Sequence, residues 1–440
     1  MNDRLLLCGT NSGCGKTTVT CALLRALKAR GLDVRSYKCG PDYIDPMFHR
    51  EVVGVPARNL DPFFSDEKTL CAQLAASTGE ISVLEGVMGY YDGVGIEGKF
   101  STFDVARETQ TPVVLVVDAR GSFTSLGAVL RGFREFRPDS GIRGVIFNRA
   151  SAMLYPQLCE IAKAAGVIPC GFFPKEESAE IGSRHLGLIT ASEIDDLNAR
   201  LDRLGELAAK HLDLDALLAL AASAPALPQA APVSPAAPRV RIALARDNAF
   251  CFLYEENLEM LRALGCELVE FSPLADSGLP EHVGGLYLPG GYPELYLKEL
   301  SENPIRHQIR AAIEKGLPTF AECGGFLYLH DTLDGVPMAG VIPAAAAKTQ
   351  RLQRFGYVTL TAQRGGLLAK AGDSIRAHEF HYYDSADNGD AFLAEKPLSA
   401  RHWPCVHTTE TLWAGFPHLY FPANPSFARS FVEKAVSYAR

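Results

Sequence analysis

Apolar residues in this chain gather in short, nearly unbroken runs separated by stretches of helical spacing. Leu5-Leu6-Leu7-Cys8, Pro112 to Asp118 and Gly144 to Asn148 are such runs, and Val34 to Lys38 and Ile81 to Gly86 add two more strand-like stretches. Strands buried on both faces read this way, because neither side of the sheet meets water. Lys16 to Arg30 places Val19, Leu23, Leu24 and Leu27 on one side of a helix, and Gly31 supplies a stop. Helical patterns also follow the runs at 112–118 and 144–148. Strand and helix in alternation predict a parallel sheet with helices on both faces.

Leu197 to Leu220 predicts two short helices broken near His211 to Asp213. Ala221 to Pro238 then carries five prolines among Ala and Ser, a composition that favours extended backbone and packs no core, so it predicts a linker. Val240 to Ala245 restarts the pattern, followed by a helix from Tyr254 to Leu264 and a strand from Glu267 to Phe271. The expected organisation is an α/β domain over 1–195, a helical extension over 196–220, a linker over 221–239 and a second α/β domain over 240–440. No internal repeat joins the halves.

Composition adds exclusions. With 440 residues, 47% hydrophobic and 21% charged, the chain is ordinary globular material for two or three domains. A net charge of −8 argues against nucleic acid or an anionic membrane as main partner. Eleven cysteines without a C-x-x-C pair fit reduced thiols rather than a disulfide framework or zinc site. Met1-Asn2-Asp3-Arg4 leads directly into the first strand and no apolar run reaches membrane-spanning length, which predicts a cytoplasmic protein.

The candidate chemistry begins at the first strand. Gly9-Thr10-Asn11-Ser12-Gly13-Cys14-Gly15-Lys16-Thr17-Thr18 is a glycine-rich turn opening a helix, the arrangement that cradles phosphates with backbone N–H groups. Gly13, Gly15, Lys16, Thr17 and Thr18 are candidate nucleotide contacts, with Lys16 reaching the terminal phosphates and Thr17 holding Mg2+. Thr10 stands where the usual pattern has its first glycine, and Gly9 comes one residue early. Loops at the carboxyl ends of parallel strands meet the ligand. That singles out Lys38, Asp42, Tyr43 and Asp45 in Lys38 to Pro46, Glu85 at the end of its strand, Asp92 in the glycine-rich stretch after it, and Asn148. Glu85 and Asp45 are candidate metal ligands beside Thr17, and Asn148 could read an adenine edge; capped turns are the alternative for Asp42, Asp45 and Asp92, and a strand-end turn for Asn148. Arg184 and His185 could meet anionic groups or lie on a solvated strand edge.

A second constellation lies in the other half. Leu286-Tyr287-Leu288-Pro289-Gly290-Gly291 runs into a glycine pair whose N–H groups could face an oxyanion. Thr319-Phe320-Ala321-Glu322-Cys323-Gly324-Gly325 reads as a strand, a tight turn carrying cysteine, and a helix. Small residues at 321, 324 and 325 permit a strained elbow, and a helix start would favour thiolate. Cys323 is the expected nucleophile, Gly291 and Gly324 the oxyanion donors, and His418 the base, ahead of His378, His381, His402 and His407. His378-Glu379-Phe380-His381 is not the H-E-x-x-H zinc pattern, and strand spacing puts its histidines on opposite faces.

These residues carry a resemblance. The phosphate loop resembles that of dethiobiotin synthetase and its relatives, and the second half resembles a class I glutamine amidotransferase domain. Gly40 to Pro46, Leu84 to Gly89, Arg184 to Leu188, Gly290 to Glu294 and His378 to His381 together resemble the cobyrinate a,c-diamide synthase family over nearly the whole chain. The resemblance implies ATP, L-glutamine and a cobyrinate-type corrin as substrates, with Mg2+. An acyl phosphate would form at Lys16, and ammonia released at Cys323 would displace the phosphate. His418-Leu419-Tyr420 departs from the family's His-Leu-His and from the His-x-Glu of other class I enzymes, so the site reads as a Cys/His pair. The same amidation on hydrogenobyrinate or Ni-sirohydrochlorin stays open, as does a homodimer. A partitioning-type switch ATPase is the distant alternative, although Asn11 and Ser12 lack the additional lysine of that loop.

Overall fold

The computed structural model describes residues 3–175, 191–228 and 237–440, with backbone only over 191–196. The chain divides into two compact units, 1–232 and 233–440.

In the first unit seven strands form one parallel sheet: β1 (Asp3–Gly9), β2 (Val34–Cys39), β3 (Ala57–Leu60), β4 (Ile81–Glu85), β5 (Val113–Asp118), β6 (Ile142–Asn148) and β7 (Ile168–Phe173), in the order β3-β2-β4-β1-β5-β6-β7. The apolar run at the start of the chain lies at the centre, buried from both sides. Leu5 and Leu7 enter one core, and Leu6 and Cys8 the other, as the twofold alternation of a strand requires. Helix α1 (Lys16–Ala29) covers the first of these faces. The helices Ala191–His211 and Leu214–Ala222 break where the sequence predicts, and their leucines 201, 204, 207, 214 and 217 complete that same core. The segment expected as an extension is therefore a wall of the first unit.

In the second unit β8 (Val240–Ala245), β9 (Cys266–Phe271), β10 (Gly285–Leu288) and β11 (Thr319–Glu322) join the strand Leu412–Gly415 in a parallel sheet, with the short strand His407–Thr408 antiparallel at its edge. Two smaller sheets, of four and five strands, complete the unit; the five-stranded one ends in the two-residue strand His418–Leu419, paired with Ser374–His381. Among the described residues no helix is long and apolar enough to cross a membrane.

Candidate active sites

In the first unit the loop between β1 and α1 has positive φ at Gly13 (81°) and Gly15 (95°), conformations that favour glycine. A Cβ on Gly9 would overlap Cys14 Sγ and the Lys16 side chain. Gly9 thus stands one residue early because the loop folds back over the end of the strand. A Cβ on Gly15 would overlap the Asn148 amide, which donates to Cys14 O at 2.8 Å while its oxygen accepts from the Arg149 N–H at 3.0 Å. Asn148, the candidate for reading an adenine edge, thus also braces the phosphate loop.

Lys16 is buried and folds across the loop, Nζ donating to Asn11 O at 3.1 Å. Thr17 and Thr18 occupy the first turn of α1, and the Thr17 hydroxyl donates to Glu85 Oε1 at 2.7 Å. Strand register sets Lys38 beside Glu85, whose Oε1 also accepts from Lys38 Nζ at 2.9 Å, and the same ammonium pairs with Asp45. His49, fully buried, places Nε2 3.4 Å from Glu85 Oε2, and its Nδ1 lies 2.8 Å from Ser36 Oγ. Burial works against charge on Lys38, Glu85 and Asp45, and the outcome differs. For Lys38 it is outweighed by Asp45 and Glu85, which hold the lysine charged. For Glu85 it is outweighed by Lys38, His49 and Thr17, which hold the carboxylate well below its usual range. Asp45 shares Lys38 with Glu85, and burial pushes it up to about 7.

This chemistry fits Mg2+ at Thr17 and Glu85, a hydroxyl beside an ionised carboxylate. That ion binds nucleotide phosphates through only one or two protein groups. Among the described residues no cluster of three or more His, Cys, Asp or Glu is set to hold a metal by itself. Asp45, the further candidate ligand, pairs with Lys38 as Glu85 does, so an ion touching both carboxylates would share them with that ammonium. Asp42 accepts from the Ile44 N–H at 2.8 Å and Asp92 from the Gly89 N–H at 2.9 Å, so both shape their own turns. Tyr43 is buried. Arg184 and His185 lie outside the described residues.

In the second unit Cys323 follows β11 with φ 43° and ψ −99°, the strained elbow the small residues predict. A Cβ on Gly325 would overlap Leu288 O, and one on Gly324 would come within 2.8 Å of Gly291 N. The neighbouring amides are bonded: Cys323 N–H to Gly415 O at 2.8 Å, Gly325 N–H to Pro289 O at 2.9 Å and Tyr292 N–H to Ala249 O at 3.0 Å. The Gly324 amide faces the Cys323 thiol. The His418 ring lies against Gly290, where an added Cβ would overlap Cε1, so base, glycine turn and elbow converge. Of the competing histidines, His378 pairs in register with His418, His381 stacks on Phe416 at 3.8 Å, His407 Nε2 lies 3.0 Å from Asp387 O, and His402 is exposed. Tyr420 is buried edge-on to Tyr254.

The electrostatics reverse one expectation. Burial, then Glu294, Glu322 and Glu379, push the Cys323 thiol up, against the Gly324 amide. The helix that follows, Gly324–Tyr328, has only five residues, too few for a strong dipole. These surroundings favour the thiol over the thiolate. Burial, then His378 and His381, pull His418 well down, which favours the neutral imidazole, the form a general base must start from. One participant escaped the sequence reading. Glu322, fully buried, accepts from Leu419 N–H at 2.6 Å and from the Tyr287 hydroxyl at 2.8 Å, and burial pushes it up to about 8. Its signal was a carboxylate closing an otherwise buried strand, directly ahead of the nucleophile.

Comparison with known proteins places each half of the chain in a family. Residues 5–188 match the CobQ/CobB/MinD/ParA nucleotide binding domain, and residues 241–425 match the CobB/CobQ-like glutamine amidotransferase domain. The chain is 38% identical to the cobyrinate a,c-diamide synthase of Listeria innocua, over 96% of this chain and 97% of that one. The enzymes of the same name from Clostridium tetani (36%, covering 98% and 99%) and Thermoplasma volcanium (38%, covering 99% and 98%) are similar across the same length. With both domains matched and such identity held from end to end, this chain belongs to the cobyrinate a,c-diamide synthase family.

Proposed function

We propose that this protein is a glutamine-dependent amide ligase that converts the a- and c-acetate carboxylates of a cobyrinate-type corrin to amides, in cobalamin biosynthesis. The observation that carries the reading is the presence in one chain of a phosphate loop whose Thr17 meets an ionised Glu85, and of a cysteine elbow served by a neutral histidine. A carboxylate is a poor acyl donor, because its carbon resists attack and oxide is a poor leaving group. Its oxygen attacks the terminal phosphorus of ATP, the bond to ADP breaks, and the acyl phosphate has a leaving group that ammonia can displace as phosphate. Lys16 and the loop amides hold the phosphates, and the residues around Lys38, Asp42, Tyr43, Asp45 and Asp92 meet the acceptor. Thr17 and Glu85 would hold Mg2+, with Asp45 across Lys38 from them. When bound, the ion neutralises phosphate charge.

Ammonia comes from the second unit. Cys323 Sγ bonds to the amide carbon of glutamine while His418 takes the thiol proton and returns it to the departing ammonia. The Gly291 and Gly324 amides stabilise the oxyanion, and water hydrolyses the thioester to glutamate. The reading takes the cytoplasm, where ATP and glutamine are supplied, as its compartment. Replacing Cys323 by Ala should abolish amidation with glutamine and leave amidation with ammonium salt intact. Failure of ammonium to support the reaction in that variant would count against two separable sites.

A further inference from the structure

A nucleophile and its base must be held in register, and in most such pairs a third group orients the base. Tyr420, two residues beyond His418, packs its ring against Tyr254 and offers no carboxylate. The Glu322 carboxyl lies elsewhere in the chain and touches all three elements of the second site. It belongs to the residue before Cys323, at the end of β11. One oxygen accepts the backbone N–H of Leu419, the residue after His418, at 2.6 Å. The other accepts the hydroxyl of Tyr287 at 2.8 Å, on the strand that leads into the Gly290–Gly291 turn. Glu322 is 2% exposed. Neither donor can be left to solvent at such a depth, so the three strands are bound to one side chain.

We propose that Glu322 is a positioning residue for the glutaminase reaction, fixing the His418 strand and the oxyanion turn against the Cys323 elbow. The inference rests on the reading of Cys323 and His418 given above. It assigns Glu322 no contact with substrate. The backbone of Leu419 moves with that of His418, and a displaced imidazole meets the thiol at the wrong angle. Glutamine itself still binds. The effect therefore belongs in kcat rather than in KM.

Glutaminase kinetics of the full chain test this. Glu322→Ala should lower kcat about 100-fold, the scale of an ångström-sized misplacement, with KM for glutamine changed by no more than about twofold. Glu322→Gln, which keeps an acceptor for Leu419 and can donate to the Tyr287 oxygen, should recover at least about tenfold of that loss. Tyr287→Phe keeps the ring stacked on Phe320 and removes one of the two anchors, so it should lower kcat about tenfold with KM unchanged. This variant decides the matter if Glu322→Ala does not fold. Wild-type kcat in Glu322→Ala or in Tyr287→Phe overturns the proposal, as does equal impairment of the Ala and Gln variants or a rise in KM in place of the fall in kcat. Absence of glutaminase activity in the unaltered protein would instead overturn the reading of Cys323 and His418.

Discussion

At the scale of single residues, burial decides protonation in both sites, and the partners decide whether burial wins. Glu85 has an ammonium, a hydroxyl and an imidazole around it and stays ionised; Glu322 has a phenol and one amide, and its carboxyl, ordinarily at 4.5, rises to about 8. The folded form of Glu322 thus keeps a proton that the unfolded chain releases. The stability it removes grows as pH rises from 4.5 towards 8 and is complete above that. A glutamine there does not titrate. The fall in melting temperature between about pH 6 and about pH 8 should be shallower in Glu322→Gln than in the parent protein, as scanning calorimetry would read it; identical slopes would contradict a raised carboxyl.

Which of these residues could be read in advance follows from how far their partners lie along the chain. Lys16, Thr17 and Cys323 stand within motifs of ten residues or so, where local spacing carries the chemistry. Asn148 braces a loop 134 positions away and Glu322 holds an amide 97 positions away. Neither distance leaves a trace in local pattern, so the brace made by Asn148 and the amide held by Glu322 both went unread. The surroundings of the thiol run against the thiolate expectation for another reason. That expectation credited a helix start with a dipole that a five-residue helix does not build, and overlooked three carboxyls around the thiol.

At the scale of elements, the pure apolar runs translate into central strands because a parallel sheet covered on both faces asks only for bulk and β-branching. The strands Leu5 to Cys8 and Val113 to Asp118 were legible for that reason. The small sheets of the second unit were not: a strand of two residues such as His418–Leu419 has no period to detect and exists only through its pairing with Ser374–His381. The helix Ala191–His211 shows the same limit from the other side. Its pattern was legible, but its place was not, because the partner is α1, the helix that follows the phosphate loop. Leu201 is fully buried in that shared core. Leu201→Ala should therefore destabilise the first unit by about 2–5 kcal/mol in denaturant unfolding; an unchanged midpoint would mean that the helix is not part of the core.

At the scale of the whole molecule, the first α/β unit matches a nucleotide binding domain and the second a glutamine amidotransferase domain. In the function proposed above, one activates a carboxylate and the other frees ammonia from an amide. Neither half alone suggests more than a phosphate-loop protein or a glutaminase. Their presence in a single chain, with family identity along its length, makes a ligase of the pair. The early glycine of the phosphate loop belongs to the same account, since it lets the loop fold against Cys14 and Lys16 beside the Glu85 network. The acceptor is the part most open to direct trial. Incubated with ATP, Mg2+, glutamine and a panel of cobyrinate, hydrogenobyrinate and Ni-sirohydrochlorin, the protein should convert cobyrinate to a product carrying two new amide groups, counted by mass spectrometry, with one glutamine consumed for each. Two amides on another member of the panel and none on cobyrinate, or ATP hydrolysis without any amide formed, would contradict it.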